Sequence, residues 1–208
     1  MTDNPEPARR VPREEVRRRL LDEAVRVFTE RGYDDARIED IAHAAGFTKG
    51  AVYSNFGGKQ GLFGAVLGRG AEDELATVIA EIDRTADADT MIERVAGLIA
   101  DRIVTDTGRG QLGLEFAARA SRDERTRAVL APMRRAQRDT AARAIAEVTD
   151  RTGGTPAVTA ELAGLILHCL TNGLVNEHLA DPEAVTAEVI EQAFTAALTA
   201  LLPPAAPT

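Results

Sequence analysis

Residues 31–59 read RGYDDARIEDIAHAAGFTKGAVYSNFGGK, and this stretch decides the fold. Ile38, Ile41, Ala42 and Ala45 fall on one stripe of a short helix, the i, i+3, i+4, i+7 pattern of an amphipathic segment. Gly46 breaks the pattern where a helix C-terminus favours a residue tolerant of the left-handed region. Thr48 follows at an N-cap position, and a second helix runs through Ala51, Val52, Tyr53 and Phe56. Two short helices joined by a Gly-containing turn make a helix-turn-helix, a motif that lays its second helix in the DNA major groove.

Roles within the motif divide by chemistry. Val52 and Phe56, with Ile41, Ala45 and Phe47, are expected to fill the small core that fixes the angle between the two helices. Thr48 can cap and touch phosphate with one hydroxyl, and Tyr53 carries a hydroxyl suited to a phosphate at the groove edge. Base readout falls to Lys49, Ala51 and Ser54, with Asn55 at the margin. Lysine suits guanine O6 and N7, and the alanine methyl suits thymine. Gly50 lets the backbone come close. Upstream, Val16, Leu20, Ala24, Val27 and Phe28 mark an amphipathic first helix from Arg13 that stops near Gly32. Its Arg17-Arg18-Arg19 run reads as a wet face, with a phosphate-facing end that can contribute.

Gly32-Tyr33, Ile41-Ala42, Ala45-Gly46-Phe47-Thr48-Lys49-Gly50, Val52-Tyr53, Phe56 and Lys59 together resemble the signature of the tetracycline-repressor (TetR) family, over residues 13 to 68. Beyond residue 70 the likeness is one of length and helix number. The resemblance implies that Tyr53 and Lys59 contact the DNA backbone, Lys59 from the start of the next helix. The sequence departs from the family pattern at two places. Ala36 stands where family members place a capping Thr or Ser, so Asp34 or Asp35 is expected to cap the second helix. The run Gly57-Gly58-Lys59-Gln60-Gly61-Leu62-Phe63-Gly64 opens the fourth helix with poor helix formers, each interior glycine costing about 1 kcal/mol against alanine. Either packing through Leu62, Phe63, Val66 and Leu67 overrides this, or the helix start is loosely held and helps the head reorient.

The net charge of -8 is unevenly spread. Arg9 to Arg69 hold 12 Lys/Arg against 9 Asp/Glu, giving +3, and the rest of the chain holds 13 against 24, giving -11. Affinity for phosphate follows the local patch, and this asymmetry supports DNA binding. The single Cys169 excludes an internal disulfide. No apolar run reaches the ~18 residues a membrane span needs, and the N-terminus lacks a signal-peptide core. The chain reads as cytoplasmic, with no membrane partner.

The expected architecture is all-α: a three-helix head and a larger six-helix C-terminal domain, about nine helices in all. Residues 1–12, with Pro5, Pro7 and Pro12, read as a disordered arm whose Arg9 and Arg10 either reach DNA or stay solvated. The head spans 13–58, the body 59–202, and 203–208 form a disordered tail. Body helices are expected at roughly 59–83, 89–105, 110–121, 124–151, 156–179 and 183–202. The last two carry more small and apolar surface than one layer needs, which points to a homodimer through a four-helix bundle. Its expected interface comprises Leu162, Ile166, Cys169, Leu170, Gly173, Val189, Ala193, Phe194, Ala197 and Leu201.

The family resemblance implies a small-molecule pocket in the body. Candidate linings are Met91, Val95, Leu98, Leu112, Phe116, Met133, Gln137, Leu165, His168 and Asn172, suited to an apolar or amphipathic effector. For catalysis, His168-Cys169 and Glu177-His178 invite a metal or thiol reading. Adjacent helical residues point about 100° apart, and no second Cys or glycine-rich phosphate loop accompanies them. No enzyme, metal or cofactor is expected. The function expected is a ligand-responsive transcriptional regulator binding double-stranded DNA, a repressor released from a near-palindromic operator. The alternative is a helical dimeric adaptor or ligand-binding protein without DNA binding.

Overall fold

The computed structural model describes residues 11–84, 87–152 and 156–202, and the arm through Arg10 and the tail 203–208 lie outside them. Among the described residues there are nine α-helices and no strand. The chain divides into two compact units between Val66 and Leu67, later than the expected 58/59 boundary. The reason is aromatic packing at the start of α4 (Lys59–Arg84). The Phe63 ring meets Phe28 edge-on at 4.7 Å and Tyr33 at 5.0 Å, so the first turns of α4 are part of the head core.

The head contains α1 (Arg13–Asp35), α2 (Ile38–Ala44) and α3 (Lys49–Phe56). Helix α1 is broken at Gly32, whose φ of 72° turns the chain so that Tyr33 stacks back on Phe28 at 6.1 Å. Leu20, Ala24, Phe28, Ile41, Val52, Leu62 and Phe63 are all fully buried. Neither Asp34 nor Asp35 caps α2. Arg37 takes the N-cap position with no side-chain bond, and Ala36, one residue before it, is buried in the core. Gly46 adopts φ 79° after α2, as its position in the sequence suggests.

The glycine-rich start of α4 is closely fitted. Gly57 and Gly58 have φ of 74° and 132°, which L side chains rarely adopt. A Cβ on Gly61 would stand 1.9 Å from the Phe56 carbonyl oxygen. Packing of Leu62, Phe63, Val66 and Leu67, all buried, overrides weak helix propensity here.

The second unit holds the rest of α4 with α5 (Ala88–Thr105), α6 (Thr107–Ala120), α7 (Glu124–Thr152), α8 (Ala160–Ala180) and α9 (Ala187–Leu201). Helix α7 runs against α8, α5 against α9, and α6 leans on both α7 and α8. One core cluster joins Met91, Ile92, Val95, Ile145, Val148, Ala163, Leu198 and Leu201, and another joins Ala96, Ala100, Ile103, Ile190 and Phe194. Side-chain caps decide where three helices begin. Asp106 accepts from the Arg109 amide, Thr159 from Leu162 and Thr186 from Val189. These caps start α6 before the expected 110, and start α8 and α9 after the expected 156 and 183.

Candidate nucleic-acid interface and body cavity

Helix α3 has one buried anchor and one polar face. Val52 is fully buried beneath it, while Tyr53 is 51% exposed. Thr48, Lys49, Gly50, Ser54 and Tyr53 are exposed, and Ala51, Asn55 and Lys59 half-buried. Phe47 and Phe56 are only half-buried, so the core between the two helices rests mainly on Ile41, Ala45 and Val52. Thr48 has the extended backbone of an N-cap, without a side-chain capping bond, which leaves its hydroxyl unused by the helix.

The polar groups have internal engagements that sequence reading missed. The Lys49 ammonium pairs with Glu39 of α2 at 2.6 Å and stands 5.8 Å from the Tyr53 ring. Its hydrogen bond to Glu39 raises the Lys49 pKa and holds the Glu39 carboxyl below its ordinary range. Asn55 is a tether: its Nδ2 donates to the Ala51 carbonyl at 2.8 Å, and its Oδ1 accepts from Arg13 at 3.3 Å. Arg17 donates to the Asn55 carbonyl at 3.2 Å and lies over the Phe56 ring at 4.6 Å. Within the Arg17-Arg18-Arg19 run the three residues therefore differ, since Arg18 and Arg19 pair with Glu15 on the exposed face. Lys59 donates to the Asp34 carbonyl at 3.0 Å and sits over Tyr33 at 4.6 Å, joining the start of α4 to the α1–α2 corner.

The body contains an apolar cavity of about 270 Å³. Of the expected residues, Met91, Val95, Gln137, His168 and Asn172 line it. Leu98 lines a separate cavity, and Met133 borders a smaller one that shares Gln137 and Asn172 with the first. Three placements are corrected. Leu112 and Phe116 are buried away from these cavities in the α6 packing, and Leu165 is 41% exposed on the outward side of α8. Arg134, which sequence reading passed over as one charge in an Arg-rich helix, reaches into the cavity. It donates to His168 Nε2 at 2.9 Å and to the side-chain Oδ1 of Asn172. Burial, then the charges of Arg134 and Arg138, push the His168 pKa down to about 4, so the ring is neutral and its Nε2 accepts.

Helix α8 leaves an apolar stripe outside. Leu162 is 45% and Ile166 37% exposed, Cys169 and Gly173 continue the same face, and Val189 of α9 is 42% exposed. Leu170, Ala193 and Ala197 are half-buried. Phe194 and Leu201, expected at the interface, instead belong to the chain's own core clusters. On a helix packed by α5 at its inner side, the largest residues turn inward. His178 is equally internal, its Nδ1–H donating to the Val185 carbonyl at 2.8 Å.

A buried-core helix-turn-helix carrying an exposed cationic and hydroxyl-bearing face, on a chain with a second all-helical unit, defines the class of DNA-binding transcriptional regulators. Residues 20–66 match the model of bacterial regulatory proteins of the tetR family, and residues 91–203 match that of the BetI-type transcriptional repressor C-terminal domain. The chain belongs to the TetR family. It is 48% identical over 54 residues to the HTH-type transcriptional regulator SrpR of Pseudomonas putida, covering 26% of this chain and 25% of SrpR. The chain thus aligns with only a quarter of the length of that relative. Its fold is similar to a Rhodococcus sp. protein described as a TetR-family transcriptional regulator, with TM-score 0.73 and 20% identity over 91% of this chain and 99% of the other. It is also similar to a transcriptional regulator from Saccharomonospora viridis solved in complex with choline, with TM-score 0.65 and 22% identity over 88% and 95% of the two chains. Among the described residues no helix is long and apolar enough to cross a membrane.

Proposed function

We propose that this chain is a dimeric repressor that binds a near-palindromic operator in the bacterial cytoplasm and leaves it when a small molecule occupies the body. The observation that carries the DNA reading is α3: Val52 is fully buried while Lys49, Tyr53 and Ser54 stand exposed on the opposite face. That face matches a recognition helix, with Lys49 reading a base and Thr48 and Tyr53 fixing register on phosphates. Dimerisation is supported by the exposed Leu162–Ile166 stripe of α8, and repression by the BetI-type match of the body. Two heads in a symmetric dimer address half-sites about 34–36 Å apart. Effector binding acts as a population shift toward a conformer whose heads no longer match consecutive grooves.

Selection of bound duplexes from random DNA tests the reading. The expected product is an inverted repeat with half-site centres about one helical turn, or a multiple of it, apart. Lys49→Ala is expected to relax preference at one base pair per half-site, and Tyr53→Phe to weaken all sequences alike. Selected duplexes without symmetry, or no enrichment at all, defeat the proposal.

A further inference from the structure

Among the described residues, the cavity lining has a charge without a counter-charge. Arg134 points from α7 into a chamber otherwise walled by groups such as Met91, Val95, Ile145 and Leu198, and among the described residues no Asp or Glu lines it. The guanidinium donates only to neutral acceptors, His168 Nε2 and the Asn172 amide oxygen. Burial, and then the like charge of Arg138 on α7, lower the Arg134 pKa. Asp106, the acid bordering the adjoining smaller cavity, is already paired with Arg109 at 3.0 Å. A guanidinium has five N–H donors and keeps its charge when buried. Arg134 is half-buried, and holding a charge partly out of water without an anion is costly, while a carboxylate can accept two parallel N–H bonds from it.

We propose that this cavity takes an apolar monocarboxylate, its carboxylate paired with Arg134 beside His168 and Asn172 and its hydrocarbon body lying among Met91, Val95, Ile145 and Leu198. This deepens the effector reading given above and rests on it. The charge logic runs opposite to that needed for choline: a quaternary ammonium wants anions or a cage of aromatic faces. Phe194 is the one aromatic residue of the lining, and Arg134 repels a cation.

The test uses the full purified chain, without DNA, and calorimetric titration with octanoate and decanoate below their micellar range, decanamide, and choline. The acids are expected to bind saturably, decanamide at least about tenfold more weakly, and choline not at all. Arg134→Met is expected to lose roughly 10- to 100-fold in decanoate affinity, the range for a hydrogen bond to a charged group, with Arg134→Lys recovering part. Should the methionine variant not fold, the acid–amide comparison and the lysine variant decide. Equal binding of acid and amide, undiminished binding to Arg134→Met, or no binding of either acid overturns the proposal. So does a loss of dimer in Arg134→Met by sedimentation, which assigns the guanidinium to a subunit contact. Arg134-dependent decanoate binding that leaves operator affinity unchanged upholds this site and defeats the effector role.

Discussion

Glu39 is the residue that most changes how the head should be read. In the free protein it holds Lys49 at 2.6 Å, so the proposed base reader is occupied by its own chain. Both partners are largely solvent-exposed, and such pairs are weak and salt-screened, so DNA can displace the carboxylate readily. Glu39→Gln removes that competitor and one negative charge from the face. It is expected to tighten duplex binding several-fold across sequences, measured by fluorescence anisotropy; unchanged or weaker binding would remove Glu39 from the interface. His168 carries the second residue-scale prediction. Its pKa is pushed from the ordinary 6.5 to about 4 in the folded state, so the unfolded chain binds more protons between those values. Stability is full above pH 6.5 and falls as pH drops toward 4. Because the ring is only partly buried, the loss is discounted for solvent screening to about 1–2 kcal/mol. His168→Gln keeps an acceptor for Arg134 and should flatten this part of the pH profile in chemical denaturation. Parallel profiles for the two proteins would refute the assignment.

At the scale of elements, α4 shows why helix propensity misleads. Gly57, Gly58 and Gly61 look like weaknesses, yet two have positive φ and the third lies against a backbone carbonyl. Gly61→Ala should raise intrinsic propensity but places a methyl where the Phe56 carbonyl cannot easily yield. Overpacking against backbone costs about 1–3 kcal/mol. The expected result is a lower melting temperature, and a stabilised variant would show that the turn between α3 and α4 can adjust. Helix α8 has the complementary lesson. One side packs closely on α7, where a Cβ on Gly164 would stand 2.6 Å from the Arg138 carbonyl oxygen. The other side presents Leu162 and Ile166 to solvent. Close approach through glycine serves the fold of one chain; the larger apolar residues are the ones the proposed dimer would cover.

For the whole molecule, a charge of +3 over Arg9 to Arg69 against -11 for the rest of the chain favours approach to DNA by the head alone. The proposed dimer couples two such heads. Leu162→Glu with Ile166→Glu should raise the dimer dissociation constant by at least about tenfold, as charges placed at an interface centre do, and should weaken operator binding in step. Sedimentation equilibrium measures the first and anisotropy the second. A variant that stays dimeric would move the interface elsewhere.

The helix-turn-helix was legible because it is local: periodicity, a glycine and a short polar face lie within some thirty consecutive residues, and side chains three or four apart must share a helix face. The number of helices and the exposed apolar stripe of α8 followed from the same periodic logic. Periodicity cannot say which neighbour an apolar face meets, so Phe194 and Leu201 were placed outward when α5 covers them, and Leu165 inward when it is 41% exposed. Pairings between distant residues, Glu39 with Lys49, Arg17 with Phe56, Arg134 with His168 and Asn172, depend on how helices cross in space. Sequence by itself determined the helices and the family motif, because short-range geometry suffices for both. Tertiary structure alone decided which charges are neutralised at home and that Arg134 is not, because burial and charge balance are properties of the assembled chain.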